Sequence, residues 1–371
     1  MTEFTIPETM RAHVFYEYGE LSEVLQLKED YPVPKLAPNE ILVQVHATSV
    51  NPGDWKILKG GIIGRMFKLP HVSCFDFSGV VVAIGDMVTN FKVGEEVYGD
   101  NAPKGYGLAE YAAVPENVVW PKPKNLSFTE AAAIPLAGLT AWQALVETAN
   151  VTEGQRVLIK GGSGGVGSFA IQIAKYFGAE VTTTCSERNI DLVKSLGADR
   201  AIDYTKENVT EIFKRNDFDI VFDTVGGPLY SSASTLMKPT GRFMTVIGDD
   251  PHRQDIVALV TILTHIVSRK VYTIVAGGVK YDFIGKNADR KKLEELTKAV
   301  EEGEHLLPAT VSPEWSIKVY TDANGIWFLR FAGKVKPVID SIYPFEKAVE
   351  AIERSKTGRA RGKIVVAVKD D

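Results

Sequence analysis

The sequence predicts an α/β chain of two domains, one β-rich and one built on a doubly wound parallel sheet. Three observations carry that expectation. The 371 residues exceed what one ordinary core fills. The first third is crowded with short apolar runs between turn residues, and after Pro135 the rhythm changes to strand and helix in alternation.

In the first third, 40–46 alternates apolar and polar as a half-buried strand does, and 79–85 and 94–99 are short apolar runs bounded by glycine. Segments 109–114 and 118–120 continue the series, which suggests a small barrel or sandwich. Strands are then expected at 157–160, 181–185, 201–203, 220–223 and 243–247, with helices such as 168–177 and 190–196 between them. The tail returns to the pattern of the first third, with a strand at 335–340, a helix at 345–356 and a last strand at 363–368. This order places a nucleotide-binding domain at 137–285, inserted into a partner made of 1–136 and completed by 286–371.

Composition is ordinary for a globular chain, with 45% apolar and 24% charged residues. A net charge of −5 argues against a large nucleic-acid surface, so none is expected as a partner. The two cysteines, Cys74 and Cys185, form no CxxC pair and build neither a disulfide framework nor a cysteine zinc site. The first residues show no secretory h-region, and the longest apolar stretch, 256–267, is too short to span a bilayer. A cytoplasmic location and a buried or interfacial helix at 256–267 are the expectations, and a homodimer is left open.

Gly162-Ser-Gly-Gly-Val-Gly167 follows an apolar strand and opens a helix. In that context the glycines read as a dinucleotide loop. Gly162 permits the turn, Gly164 admits a pyrophosphate to backbone N–H groups, and Gly167 lets helix and strand approach. The helix N-terminus adds partial positive charge. At the end of the next strand, where an NAD site carries an acid for the ribose, stand Ser186, Arg188 and Asn189. A hydroxyl beside a guanidinium suits a 2′-phosphate, which makes NADPH the expected cofactor. Glu187 is the counter-argument, since a small change of register would make it the ribose acid.

Together with this loop, Ser49-Val-Asn-Pro-Gly-Asp-Trp-Lys56, the run 130–142, the run 195–204 and Gly358-Arg-Ala-Arg-Gly-Lys363 resemble the zinc-free, quinone-oxidoreductase branch of the medium-chain dehydrogenases/reductases. The likeness spans nearly the whole chain. It looks nearest to chloroplast-envelope quinone oxidoreductase homologues and reticulon-interacting oxidoreductases. It implies a GroES-like catalytic domain, a Rossmann domain and a cleft between them. It further implies that Ser163, Gly165 and Val166 touch phosphates, that Ser186 meets the 2′-phosphate and Tyr204 the adenosine end, and that Arg359, Ala360 and Arg361 approach the cofactor. Zinc enzymes of this superfamily carry Cys where Asn51 stands and His near Phe75, so no metal ligands are expected here.

The activity so implied is hydride transfer from NADPH to a quinone or an α,β-unsaturated carbonyl. Such a reaction asks the protein for orientation and for a donor at the developing oxyanion. Asn51, Lys56 and Thr140 are the candidate donors or positioning groups, with Asp54 orienting Lys56. An ordinary salt bridge and a turn-forming asparagine are the plainer readings of these residues. An enoyl-thioester reductase is a second enzyme reading, and a non-catalytic NADPH-binding scaffold or RNA-binding crystallin-like protein is a rival from another class.

Residues 304–333 break the family-like pattern. Removing them joins 300–303 directly to 334–337. Gly303-Glu304 can be encoded GGT-GAG and Phe331-Ala-Gly333 TTT-GCA-GGN, which hold an intron start and an intron end in the same phase. A translated intron and a genuine loop insertion both fit.

Overall fold

The computed structural model describes residues 4–61, 64–214, 216–227, 229–247, 256–276, 278–285, 288–301, 304–307, 317–321, 327–332 and 335–369. Its centre is a six-stranded sheet ordered Arg200–Asp203, Glu180–Cys185, Arg156–Lys160, Phe218–Asp223, Met237–Thr245, Lys280–Phe283, every neighbouring pair parallel. Numbered along the chain, that is the order 3-2-1-4-5-6 of a doubly wound dinucleotide fold. The strand order reverses between Arg156–Lys160 and Phe218–Asp223, so a crevice opens at their carboxyl ends. Val157, Ile159, Val181, Ile220 and Phe222 are buried on this sheet against Phe169 and Ile173 of the helix Gly165–Tyr176.

The β-rich domain is organised by one long strand, Glu40–Val50. It pairs antiparallel with Asp76–Ile84, Tyr111–Pro115 and Lys363–Ala367, the last of which pairs in parallel with Ile339–Pro344. Irregularities between Leu42 and Val43 and between Val45 and Ala47 bend the strand, which lets it serve several partners. Ile41, Val43, Val45, Phe77, Val81, Val97 and Val366 face one shared core. The fold class is therefore the expected one, a GroES-like β-rich domain and a Rossmann domain.

Two local expectations are revised, and one strand pair is added. The strand expected at 335–340 begins later, as Ile339–Pro344. Pro337 has no N–H to give a ladder, and Val335 is instead buried as a core plug. The apolar run at 256–267 is part of a longer helix, Ile256–Ala276, whose Val260, Leu263, Val267 and Val271 are exposed. Among the described residues no helix is long and apolar enough to cross a membrane. The antiparallel pair Thr9–Phe15 and Leu25–Pro32 adds two strands that no clear period in the sequence marks.

The helix Arg290–Glu301 buries Leu293 and Leu296 in the same core as Leu139 and Phe169. Beyond it, Glu304–Leu307, Trp327–Ala332 and Ile317–Thr321 form an antiparallel sheet of their own, which pairs with no other sheet among the described residues. Trp315 lies outside the described residues, as do both ends of this segment at 302–303 and 333–334.

Candidate active site

A cleft of about 990 Å³ runs from the carboxyl ends of the parallel strands to the edge of the β-rich domain. Its floor is the glycine loop. Gly161 takes φ +82°, and a Cβ on Gly162 would lie 2.1 Å from the Thr183 hydroxyl oxygen. A Cβ on Gly167 would lie 2.2 Å from the Gly161 carbonyl oxygen, so the helix can sit this close to the loop only without a side chain there. Gly164 caps the helix in extended conformation. The first N–H groups of that helix have no intrahelical acceptor, which makes its N-terminus an anion seat. Ser163, Gly164, Gly165 and Val166 line the cleft, whereas Gly162 and Gly167 shape the loop from behind.

The end of Glu180–Cys185 forms the second wall. Asn189 donates from Nδ2 to Ser163 Oγ at 3.0 Å and to Ser186 Oγ at 3.2 Å, tying the phosphate loop to the next loop. Its Oδ1 is buried with no hydrogen-bond partner among the described residues. Arg188 donates to the Arg359 carbonyl at 3.1 Å. Glu187 is held by Lys206 at 2.6 Å, so its carboxylate is already engaged. Lys206 lines the cleft beside Tyr204, which is 63% exposed. Arg359 and Ala360 reach the cleft from the C-terminal segment. Arg361 is not among the lining residues, and its backbone N–H donates to Asp340 Oδ1 at 2.8 Å.

At the far end, four chain segments meet on one buried carboxylate. Asp76 Oδ2 accepts from Ser49 Oγ at 2.6 Å and Asn51 Nδ2 at 2.8 Å, and pairs with Lys363 Nζ at 3.3 Å. Its Oδ1 accepts from the Leu136 N–H at 2.8 Å. Lys363 Nζ also donates to Asn51 Oδ1. Asn51 therefore spends its amide inside the protein, which fits a positioning group better than a free donor. Asn51 also caps the helix Pro52–Leu58, and its own N–H donates to Asp54 Oδ2 at 2.7 Å. Burial pushes the Asp54 carboxyl up to about 7, against the opposing pull of that N–H, with Asp76 adding to the rise.

Asp54 and Lys56 stand two positions apart on that helix and face different sides, so they form no ion pair among the described residues. Lys56 is half-buried, its Nζ 5.5 Å from the Trp55 ring centre, and burial lowers its pKa. Thr140 donates to the Leu136 carbonyl at 2.7 Å, one turn behind Leu136 and Ala137 of the cleft wall. Phe75 packs in an apolar core, 6.0 Å from the Phe67 ring centre. Among the described residues no group of three or more His, Cys, Asp or Glu could hold a metal ion.

Sequence reasoning alone misses Lys363, Asp76, Lys206 and Lys160, which line or brace the cleft. Lys160 donates to the Gly226 carbonyl and pairs with Asp223 at 3.6 Å. A signal for Lys363 and Asp76 exists, since one ends the Gly358–Lys363 run and the other follows Phe75. Only proximity in space shows that they act together.

Comparisons with known proteins agree with this geometry. Residues 37–124 match the alcohol dehydrogenase GroES-like domain, and residues 196–366 match the model described as zinc-binding dehydrogenase. The chain is 36% identical to the 2-methylene-furan-3-one reductase of Solanum lycopersicum, over 98% of this chain and 81% of that protein. It is 34% identical to the chloroplastic NADPH-dependent alkenal/one oxidoreductase of Arabidopsis thaliana, over 98% of this chain and 80% of the relative. The quinone oxidoreductase structure from Coxiella burnetii superposes with a TM-score of 0.77 at 30% identity, covering 97% of this chain and 99% of that one. The chain belongs to the medium-chain dehydrogenase/reductase family, among its quinone and enone oxidoreductases, and is an oxidoreductase enzyme.

Proposed function

We propose that this chain is a zinc-independent reductase that uses NADPH in preference to NADH and reduces quinones or α,β-unsaturated carbonyls. The observation that carries the cofactor choice is the Glu187–Lys206 pair at 2.6 Å. It engages Glu187, while Ser186 and Arg188 line that end of the cleft together with Lys206, Glu207 and Glu211. A 2′-phosphate is recognised by a hydroxyl beside such cations, whereas an NAD ribose asks for a free carboxylate. The glycine loop, closed to side chains at Gly162 and Gly167, fits a pyrophosphate at the helix N-terminus.

When bound, the reduced nicotinamide supplies the hydride; the protein supplies position and polarity. Asn51, clamped by Lys363 and Asp76, holds the wall of the cleft where the two domains meet. Thr140 stiffens the helix that presents Leu136 and Ala137. Lys56 is not itself among the cleft-lining residues; it stands on the helix that begins at the lining Pro52, has no carboxylate partner among the described residues, and is proposed as the donor to the oxyanion that develops on the substrate. The names of the tomato and Arabidopsis relatives support an enone or alkenal as acceptor.

The test is NADPH against NADH oxidation by the purified chain with 1,2-quinones, alkyl enones and enoyl thioesters. Preferred NADPH oxidation with quinones or enones supports the reading. Thioesters reduced far faster than either make it an enoyl-thioester reductase, and no turnover with any acceptor overturns it. Lys56→Met is expected to lower kcat by a hundredfold or more, the typical worth of one preorganised donor being about 2.7–4 kcal/mol.

A further inference from the structure

We propose that Lys363 is a positioning residue, a buried cation that locks the phosphate loop to the catalytic sheet. The inference rests on the reading of the cleft as an NADPH-dependent reductase site. The ammonium lies between Asn51 Oδ1 and Asp76 Oδ2, and the side chain is 3% exposed. Its stem runs along the loop: a Cβ on Gly165 would lie 2.9 Å from Lys363 Cδ. The preceding residue completes the clamp. Gly362 donates its N–H to the Ser163 carbonyl at 2.8 Å, and its φ of +89° leaves no room for a side chain against Val338. One dipeptide thus grips the loop by its backbone and the catalytic domain by its charge.

A cation buried this far repays its desolvation only through its partners, so its place is set by Asp76 and Asn51. Asp76 in turn fixes the N–H of Leu136 on the facing wall. Moving Lys363 releases three walls of the cleft together, and an error of about 1 Å in placement costs about a hundredfold in rate.

The test compares Lys363→Met with Lys363→Met/Asp76→Asn and Lys363→Arg. Lys363→Met alone strands a buried carboxylate and is expected to lower Tm. The double variant removes both charges while keeping an oxygen for the Leu136 N–H, and is expected to recover Tm. Its kcat stays about a hundredfold down and its NADPH Kd, read by fluorescence titration, about tenfold up. Lys363→Arg, which retains the charge, recovers part of both. A double variant with parental Tm, kcat and Kd overturns the inference. If the parent turns over no acceptor, the reductase reading fails instead, and the Kd comparison still decides the role of Lys363.

A second inference rests on a different observation, the closed neck under residues 304–333. The Val335 N–H reaches back to the Ala299 carbonyl at 3.4 Å, and Asn125 donates to the Val300 carbonyl at 3.2 Å. Two of the last carbonyls of the helix Arg290–Glu301 thereby find donors outside the insert. Lys336 exchanges two hydrogen bonds of 2.9 Å with the Gln172 side chain, so the chain rejoins the enzyme at once. Without 304–333, one glycine would follow the helix at its second position past the last turn, where helices commonly stop. The neck, with encodings of 303–304 and 331–333 that would place both intron ends in one phase, points to an unspliced intron, so that the working enzyme would be thirty residues shorter. Sequencing of the spliced transcript across codons 300–337 is the test, beside expression of both chains. A transcript lacking these codons, with a shorter chain of equal or higher Tm and turnover, is expected. Transcripts that all retain them, or a shorter chain that loses stability, overturn it.

Discussion

Replacing Asp54 by asparagine separates the charge of the buried junction from its shape. Burial lifts this carboxyl from 3.8 to about 7, so between those values the folded chain holds a proton that the unfolded chain has lost. The site's full stability is therefore present below about pH 4, declines as pH rises, and is lost once pH passes 7. At about 1.4 kcal/mol per pKa unit the loss is on the order of 4 kcal/mol. Asparagine keeps an oxygen for the Asn51 N–H and has no charge to bury, so the loss should vanish. The groups facing the site, Asp76, Lys363 and Cys74, are the same in both proteins. Thermal unfolding from pH 4 to pH 8 is the assay. The variant's Tm advantage is expected to grow across that window by several degrees, at about 2 °C per kcal/mol for a chain of this size. Parallel curves, or an advantage that shrinks with pH, would refute the assignment of a buried, proton-holding carboxyl.

Gly167→Ala should weaken NADPH binding at least tenfold, because its Cβ would lie 2.2 Å from the Gly161 carbonyl; an unchanged fluorescence titration counts against the loop as phosphate seat. Arg188→Ala is expected to raise the KM for NADPH about tenfold and leave that for NADH unchanged, in line with one lost charged hydrogen bond. Equal use of both cofactors by the parent would remove the ground for it. Dialysis against a chelator should not change the rate, since Asn51 and Phe75 offer zinc no ligand; stoichiometric zinc with chelator-sensitive turnover would show otherwise.

Local chemistry makes much of the fold legible. The glycine spacing, the strand before it and the helix after it lie within one short stretch, and strand–helix alternation forecasts the parallel sheet that the order 3-2-1-4-5-6 realises. The site is harder to read where it depends on distance. Lys363 and Asp76 are 287 positions apart, and each alone is an unremarkable charge in a strand. The ambiguity of Glu187 turns on Lys206, 19 residues on, which no local pattern pairs with it. Val335 misleads for a simpler reason: it is apolar because it plugs a core beneath a helix, and that burial has the same composition as a strand's.

The neck has a use independent of its origin. Its two stretches of chain leave and re-enter the protein side by side, and Lys336 is hydrogen-bonded to Gln172 on the helix whose first turn forms the phosphate seat. A fluorescent domain grafted between Glu301 and Val335 would hang from that helix without crossing either core. The enzyme then carries an attachment point for an optical gauge of its own cofactor occupancy.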